Sequence, residues 1–490
     1  MANTNTFLED IAQKVGNDKL AMKWWENFYN LSQVPRSSGN EGKIRDYLID
    51  QAKQRGHEFE VDSVGNLLIR QRGEGNYMAL QSHMDMVMDV ADGVTHDFDN
   101  DPIQMYVEGD WVKARGTTLG ADNGAGIATS LVLMDSPLNI EHIFTVEEES
   151  TFKGAENLNF KLMSTKMINL DSEEDGIIYN KSAGGIVFEG LLKANKDFSF
   201  PSGNRYCSLE VSGLPGGHSG VDIQKSENGN AYYIGGKLLK VLRENSGGIH
   251  LVEVSGGKDQ MMNKIPKSFD AKFVMSNEEE YNMLNSLVES ASEELQKECP
   301  GLNVKFKISE HPVGLIRQYD SDITNKIIDM LSENHSGVFE WEIKDKLPSV
   351  SNTWGVLKTN DEGVYIVNLI RGTYEEDMKK LYDEMATMYD KYGVGTKITR
   401  NIAPWHGIES GLLQTAREQS VKIFGEAVVA SIHAGLEAGA IAEIYKEKGV
   451  DLEVFSTGPL MEDVHTCAEK LSIYSPPKVQ RFVEEVIKNS

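Results

Sequence analysis

The chain of 490 residues carries 49 Lys and Arg against 75 Asp and Glu, a formal net charge of −26 with His neutral. Phosphate binding needs clustered Lys and Arg, and anionic membrane surfaces attract the same cations, so this balance excludes nucleic acid and membrane as main partners. Hydrophobic residues at 40% and charged residues at 25% make an ordinary soluble composition, and the length allows two or three domains at about 150 residues each.

Residues 7–33 carry apolar positions at helical spacing and predict one or two helices. Another is expected over 40–55, with Ile44, Tyr47, Leu48 and Ala52 on one face. Short strands follow at 66–70, 77–82 and 110–114, then a small-residue helix over 121–133 and strands at 141–146 and 166–170. Strands separated by helices predict an α/β sheet with helices on both faces. From about Gly185 the texture changes. Strands at 186–194, 205–212, 249–255, 268–275, 302–309 and 363–371 mix with helices at 229–244, 278–297, 321–333 and 375–391, which reads as a separate α+β unit. After Pro404 come helix 409–424, strands 427–432 and 451–456, and helix 476–488. The expected fold class is α/β: one domain of residues 1–186 plus 403–490, with an α+β domain of residues 187–402 inserted in it.

Cys207, Cys299 and Cys467 lie far apart and form no CxxC pair. That argues against a thiolate zinc site or a disulfide framework and for a reducing compartment. Residues 1–20 show no apolar core of signal-peptide length, and no window of about 18 apolar residues would span a membrane.

No GxSxG elbow, HExxH helix, GxGxxG loop or GxxxxGK(S/T) loop occurs. What remains is a set of His and carboxylate residues at the ends of predicted strands. His83 follows an apolar run, and Asp85 shares its strand face, so the carboxylate can support the imidazole as it does beneath metal-bound histidines. Gly116 to Gly126 is a Gly-rich turn with Asp122 near a helix start. It fits an N-cap acid or a phosphate cradle, though no Lys or Arg lies inside the turn. Glu147, Glu148 and Glu149 end another apolar strand, and adjacent carboxylates repel one another unless a cation holds them. Asp171 opens a further acid cluster through Asp175, and the segment from Asp463 to Glu469 adds His465. Each of these also reads as a solvated loop or a cap. Together they put acids and His at the C-terminal ends of several strands, where open α/β sheets build sites. His, Asp and Glu without Cys suit zinc, cobalt or manganese.

These residues lie in motifs that resemble the aminoacyl-histidine dipeptidases (Xaa-His dipeptidases, peptidase D), di-metal exopeptidases related to aminoacylase and bacterial glutamate carboxypeptidase. The motifs run in order along the chain: His83-Met-Asp85, His96 to Pro102, Trp111 to Gly126, Asp171-Ser-Glu-Glu174, Gly216-Gly-His-Ser-Gly220 and Ile432-His-Ala-Gly-Leu-Glu437. The resemblance implies a di-zinc exopeptidase-type domain with an inserted lid and dimerisation domain. It also implies a cytoplasmic homodimer, a small peptide substrate and two divalent ions, zinc first with cobalt or manganese as alternatives. By the same resemblance, His83 and Asp171 hold one ion, Glu149 and His465 hold the other, and Asp122 bridges both through a cis peptide to Asn123. A hydroxide between the ions would attack, with Glu148 as general base and Asp85 orienting His83. His218 would meet the scissile carbonyl, coming from the partner subunit in related enzymes. Arg371 would bind the substrate carboxylate, and His433 would line the substrate pocket.

The implied activity is hydrolysis of dipeptides with a free amino terminus, Xaa-His or broad in specificity. The alternative is an N-acyl-amino-acid amidohydrolase or a tripeptidase of the same architecture. A non-enzymatic peptide-binding relative would need a missing ligand or base. Thr151, Leu460, Glu462 and Cys467 depart from the family's usual residues and bear on side-chain preference.

Overall fold

Gly16, at φ 62°, and Asp18 split the first apolar stretch into two helices, Asn3–Val15 and Lys19–Ser32. The Asp18 carboxylate accepts the N–H groups of Leu20 and Ala21 and so caps the second. That helix buries Trp24, Trp25 and Phe28 in one core with Ala128 and Leu131 of the helix Ala121–Leu133. Helix Gly42–Arg55 buries Ile44, Leu48 and Ala52 and leaves Tyr47 half-buried. The computed structural model describes residues 3–91, 93–198, 205–225, 227, 229–257, 260–275, 279–308, 317–342 and 347–490. The chain divides into two units, Met1–Lys181 with Trp405–Ser431 and Leu436–Ser490, and Ser182–Pro404 with Ile432–Gly435.

The first unit is built on a mixed sheet. Its strand order is Glu58–Val61, Leu67–Gln71, Leu138–Thr145, Glu74–His83, Lys166–Asn169, Glu453–Ser456, Ile177–Ser182 and Trp405–His406, with Val428–Ile432 also on Ile177–Ser182. Glu74–His83 runs parallel to both of its neighbours, and Glu453–Ser456 is parallel to Lys166–Asn169. The registers His83 with Thr145 and Gln81 with Asn169 bring three strand C-terminal ends to one edge. The loops that leave those ends carry Asp85, Glu148, Glu149 and Asp171.

The second unit is an antiparallel sheet in the order Asn303–Ile308, Arg205–Ser212, Phe269–Met275, Ile249–Ser255, Leu347–Asn360, Gly363–Gly372, Gly184–Lys193 and Gly395–Ile402. Helices Ala231–Asn245, Tyr281–Leu295, Ser321–Glu333 and Glu375–Lys391 belong to it. Leu238, Leu284, Ile327 and Tyr389 from these helices share a core with Phe273 and Trp354 of the sheet. Glu278 and Ser309, at the ends of an expected helix and strand, lie outside the described residues.

The three longest elements absent from the sequence expectation each have a physical reason. The 14-residue strand Leu347–Asn360 escapes a period-2 reading because Ser351, Asn352 and Thr353 are as buried as its apolar residues. Its register also shifts at Gly355, where an added Cβ would lie 2.4 Å from the Met261 carbonyl oxygen. Strand Gly395–Ile402 is mostly exposed, so no apolar run marks it. Helix Glu437–Glu447 follows a Gly-containing loop and opens on a buried acid. Among the described residues no helix is long and apolar enough to cross a membrane.

Candidate metal centre

His83 closes its strand with no exposed surface. Its Nδ1 faces the Asp85 carbonyl oxygen at 3.1 Å and the Asp85 carboxylate at 3.3 Å. Its Nε2 lies 2.9 Å from Asp122 Oδ1 and 3.3 Å from Asp171 Oδ1. Across Asp122, His465 Nε2 lies 3.1 Å from Asp122 Oδ2 and 3.0 Å from Glu149 Oε2. Asp122 thus stands between two groups, His83 with Asp171 and His465 with Glu149. In each group the ligand atoms lie within 4.8 Å of one another, as do those of His83, Glu148 and Glu149.

Local backbone explains how these loops aim their side chains. The Asp122–Asn123 peptide is cis. Asn123 Nδ2 donates to the Leu170 carbonyl at 2.8 Å and to Asp171 Oδ1 at 2.6 Å, tying the Asp122 turn to the Asp171 loop. Gly126 leaves room for this: a Cβ there would lie 2.1 Å from Asn123 Oδ1 and 2.6 Å from Ser82 Oγ. Glu147 (φ 52°) and His465 (φ 66°) hold left-handed backbone without being glycine, a conformation that surrounding contacts must impose. At Glu147 one such contact is its N–H to Glu41 Oε1 at 3.2 Å.

The electrostatics ask for a cation. Burial and the neighbouring carboxylates push Glu149 and Asp171 upward from the ordinary carboxylate range, against the pull of the histidines. Burial, with Glu149, Asp171 and Glu437 nearby, pushes Glu148 far up. Burial disfavours the charged form of both imidazoles, yet Asp171 and Asp122 hold His83 well above its usual range, and Glu149 and Asp122 do the same for His465. Glu149 Oε1 is buried with no hydrogen-bond partner among the described residues. Two imidazoles, three carboxylates and an orphaned carboxylate oxygen fit divalent ions that take N and O donors. Such ions would compete with protons for these same donor atoms.

The other three predicted residues gather in the second unit. His218 Nδ1 accepts the N–H groups of Gly220 at 3.3 Å and Val221 at 3.2 Å, which leaves the ring proton on Nε2. That Nε2 lies 3.4 Å from Arg371 Nη2, and Arg371 Nε donates to Ser219 Oγ at 3.0 Å. His433 Nε2 pairs with Ser351 Oγ at 2.8 Å, and its Nδ1 is buried without a partner among the described residues. Burial, aided by the Arg371 charge, pushes His433 down to about 3, so its ring is neutral. Sequence reasoning missed Ser351, although it sits opposite Arg371 in the sheet register. It also missed Glu437, whose buried carboxylate accepts from Gln81 Nε2 and Thr145 Oγ1 at 2.6 Å each. Burial pushes that carboxyl up to about 8. Glu437 lies inside a quoted motif, but nothing in the motif points to a buried acid.

Residues 79–489 match Peptidase family M20/M25/M40. The chain belongs to that family and is a hydrolase of peptide bonds, as its motifs led us to expect. It is 30% identical over 487 residues to the cytosol non-specific dipeptidase of Escherichia coli strain K12, covering 95% of this chain and 96% of that one. The crystal structure of aminoacylhistidine dipeptidase from Vibrio alginolyticus is similar at a TM-score of 0.70 and 26% identity, over 96% of this chain and 98% of that one. A Saccharomyces cerevisiae di-peptidase shares the fold at a TM-score of 0.56 and 13% identity, over 98% of each chain.

Proposed function

We propose that this chain is a metal-dependent dipeptidase that cleaves dipeptides with a free amino terminus. The observation that carries the reading is Asp122, one oxygen toward His83 and the other toward His465, with Asp171 and Glu149 completing the two groups. The near full-length likeness to a dipeptidase supports the substrate class. His83, Asp122 and Asp171 would hold one divalent ion, and Asp122, Glu149 and His465 the second, zinc first with cobalt or manganese as alternatives. When bound, such ions polarise a carbonyl and make water acidic enough to attack near neutral pH.

The remaining steps fall to side chains. Glu148 takes a proton from the attacking water and passes it to the leaving amine, so that water adds across the peptide bond. Asp85 keeps His83 oriented. His218, with its proton on Nε2, donates to the oxygen on which negative charge develops, an interaction worth roughly 3 kcal/mol in such sites. Arg371 and neutral His433 bind the substrate, Arg371 matching its terminal carboxylate. The unit around Ser182–Pro404 serves as an inserted lid and dimerisation domain, the chain acts as a homodimer, and it works in the cytoplasm, as the name of its Escherichia coli relative suggests.

The test is a panel of free, N-acetylated and C-amidated dipeptides given to stripped enzyme reloaded with zinc, cobalt or manganese. Cleavage of free dipeptides with acetylated and amidated ones spared is the expected result. Cleavage of the acetylated set alone would make the chain an acylamino-acid amidohydrolase.

A further inference from the structure

The Gly-rich turn before helix Ala121–Leu133 contains no Lys or Arg of its own, yet it receives a cation from elsewhere. Arg36, only 3% exposed, enters from the segment after helix Lys19–Ser32. Its Nη1 donates to the Met84 carbonyl at 3.2 Å and the Asp85 carbonyl at 2.8 Å, and its Nη2 donates to the Gly120 carbonyl. One planar fork therefore links the turn that follows His83 to the turn that leads into Asp122. The glycines make its seat: an added Cβ would lie 2.6 Å from Nη2 at Gly120 and 2.8 Å from it at Gly124.

Glu469, 2% exposed, holds the same turn by its N–H groups. Oε2 accepts from Leu119 at 2.6 Å and Gly120 at 2.9 Å, and Oε1 accepts from Ala121 at 2.7 Å. The Gly120 residue is thus fixed through its carbonyl by Arg36 and through its N–H by Glu469, two residues before Asp122. Backbone N–H groups pointed at one carboxylate form an anion-binding nest, and here the anion belongs to the loop that carries His465.

We infer that Arg36 and Glu469 are positioning residues that fix Asp122 relative to His83 and His465, and through that spacing set the metal affinity of the site. This rests on the metal reading above. Arg36 suits the task because a guanidinium offers several donors in one rigid plane, whereas an ammonium is a point charge. Arg36→Lys keeps the charge and removes the fork, so its effect reports geometry and not a lost positive charge beside the ions. Glu469→Gln replaces one accepting oxygen with an amide donor that faces a backbone N–H.

The full-length chain, stripped with chelator, is titrated with cobalt(II) and followed by its visible absorption, alongside the thermal midpoint of the stripped protein. We expect Arg36→Lys and Glu469→Gln each to weaken cobalt binding roughly ten- to a hundredfold, the usual loss when a partner supporting a metal ligand is removed. The cobalt bands should also change shape, since they report coordination geometry. Wild-type affinity and band shape in both variants would overturn the inference, as would weaker binding with unchanged bands and a lowered midpoint, which is the signature of a structural role alone. If Arg36→Lys does not fold, Glu469→Gln decides by the same readouts. A wild-type chain that takes up no cobalt would remove the metal reading itself.

Discussion

The Asp85 carboxylate accepts the backbone N–H of Glu148 at 3.1 Å through the same oxygen that lies 3.3 Å from His83 Nδ1. Its other oxygen accepts from the Glu149 N–H at 3.2 Å and from Ser38 Oγ at 2.8 Å. One buried side chain thereby orients a candidate ligand, the proposed base and a second candidate ligand. These donors, with His83, outweigh burial and hold Asp85 below the usual carboxylate range. Asp85→Asn keeps the shape but turns one acceptor into a donor facing a donor. We expect metal affinity to fall roughly ten- to a hundredfold, read by calorimetric titration of the stripped chain. Unchanged affinity would assign the orientation of His83 to the Asp85 carbonyl, 3.1 Å from Nδ1.

Glu148 has the opposite profile. It lies among the carboxylates but outside the two groups that share Asp122. Its replacement by Gln keeps the volume and removes the proton carrier. Turnover of the best free dipeptide should fall roughly 10²- to 10⁴-fold, the span of general-base contributions, while metal content measured by elemental analysis stays at the wild-type ratio. Retained turnover would place the base elsewhere.

Stripping the chain of metal should lower its stability. Glu148, Glu149, Asp122 and Asp171 crowd together beside His83 and His465. Burial and their mutual repulsion raise Glu148, Glu149 and Asp171, and against burial their charges hold both imidazoles above their usual range. A ligand that binds only the folded form adds about 2.7 kcal/mol at 100 times its dissociation constant. The thermal midpoint should therefore rise with added zinc or cobalt and fall with chelator. Equal midpoints in both conditions would show that the pocket gains nothing from a cation.

His83, Glu149 and Asp171 were legible because each follows an apolar run, 77–82, 141–146 or 166–170, whereas Asp122 and His465 were legible as ligands only through the resemblance of their motifs to a known family. The α/β class was legible in local patterns too, since strand and helix periods alternate. Apart from Asp85, what holds the ligands was not. Arg36 meets Gly120 across 84 positions and Glu469 meets it across 349, and a single residue reaching that far leaves no period to read. The glycines at 120, 124 and 126 were visible, but whether they cradle a phosphate, an arginine or an asparagine depends on what the fold brings to them. Ser351 was hidden twice, once in a strand whose polar residues are buried and once because its partner His433 lies 82 positions away.

One acid-sensitive element lies apart from the candidate ligands. His142, in strand Leu138–Thr145, has no exposed surface, and its Nε2 meets Gln71 Oε1 at 3.1 Å. Burial, with His57 and Arg55 nearby, pushes it down to about 3. In the unfolded chain a His titrates near 6.5, so between these values the unfolded state binds one more proton than the folded state. Stability from the neutral ring is therefore complete above about pH 6.5 and is lost as pH falls toward 3. At 1.36 kcal/mol per unit, this group alone costs about 2 kcal/mol by pH 5. His142→Gln preserves an amide donor for Gln71 and cannot titrate. Denaturant unfolding at pH 7 and pH 5 should show a smaller acid loss in the variant than in the wild type, by about that amount. Equal losses would mean that His142 is protonated, or exposed to water, in the folded chain.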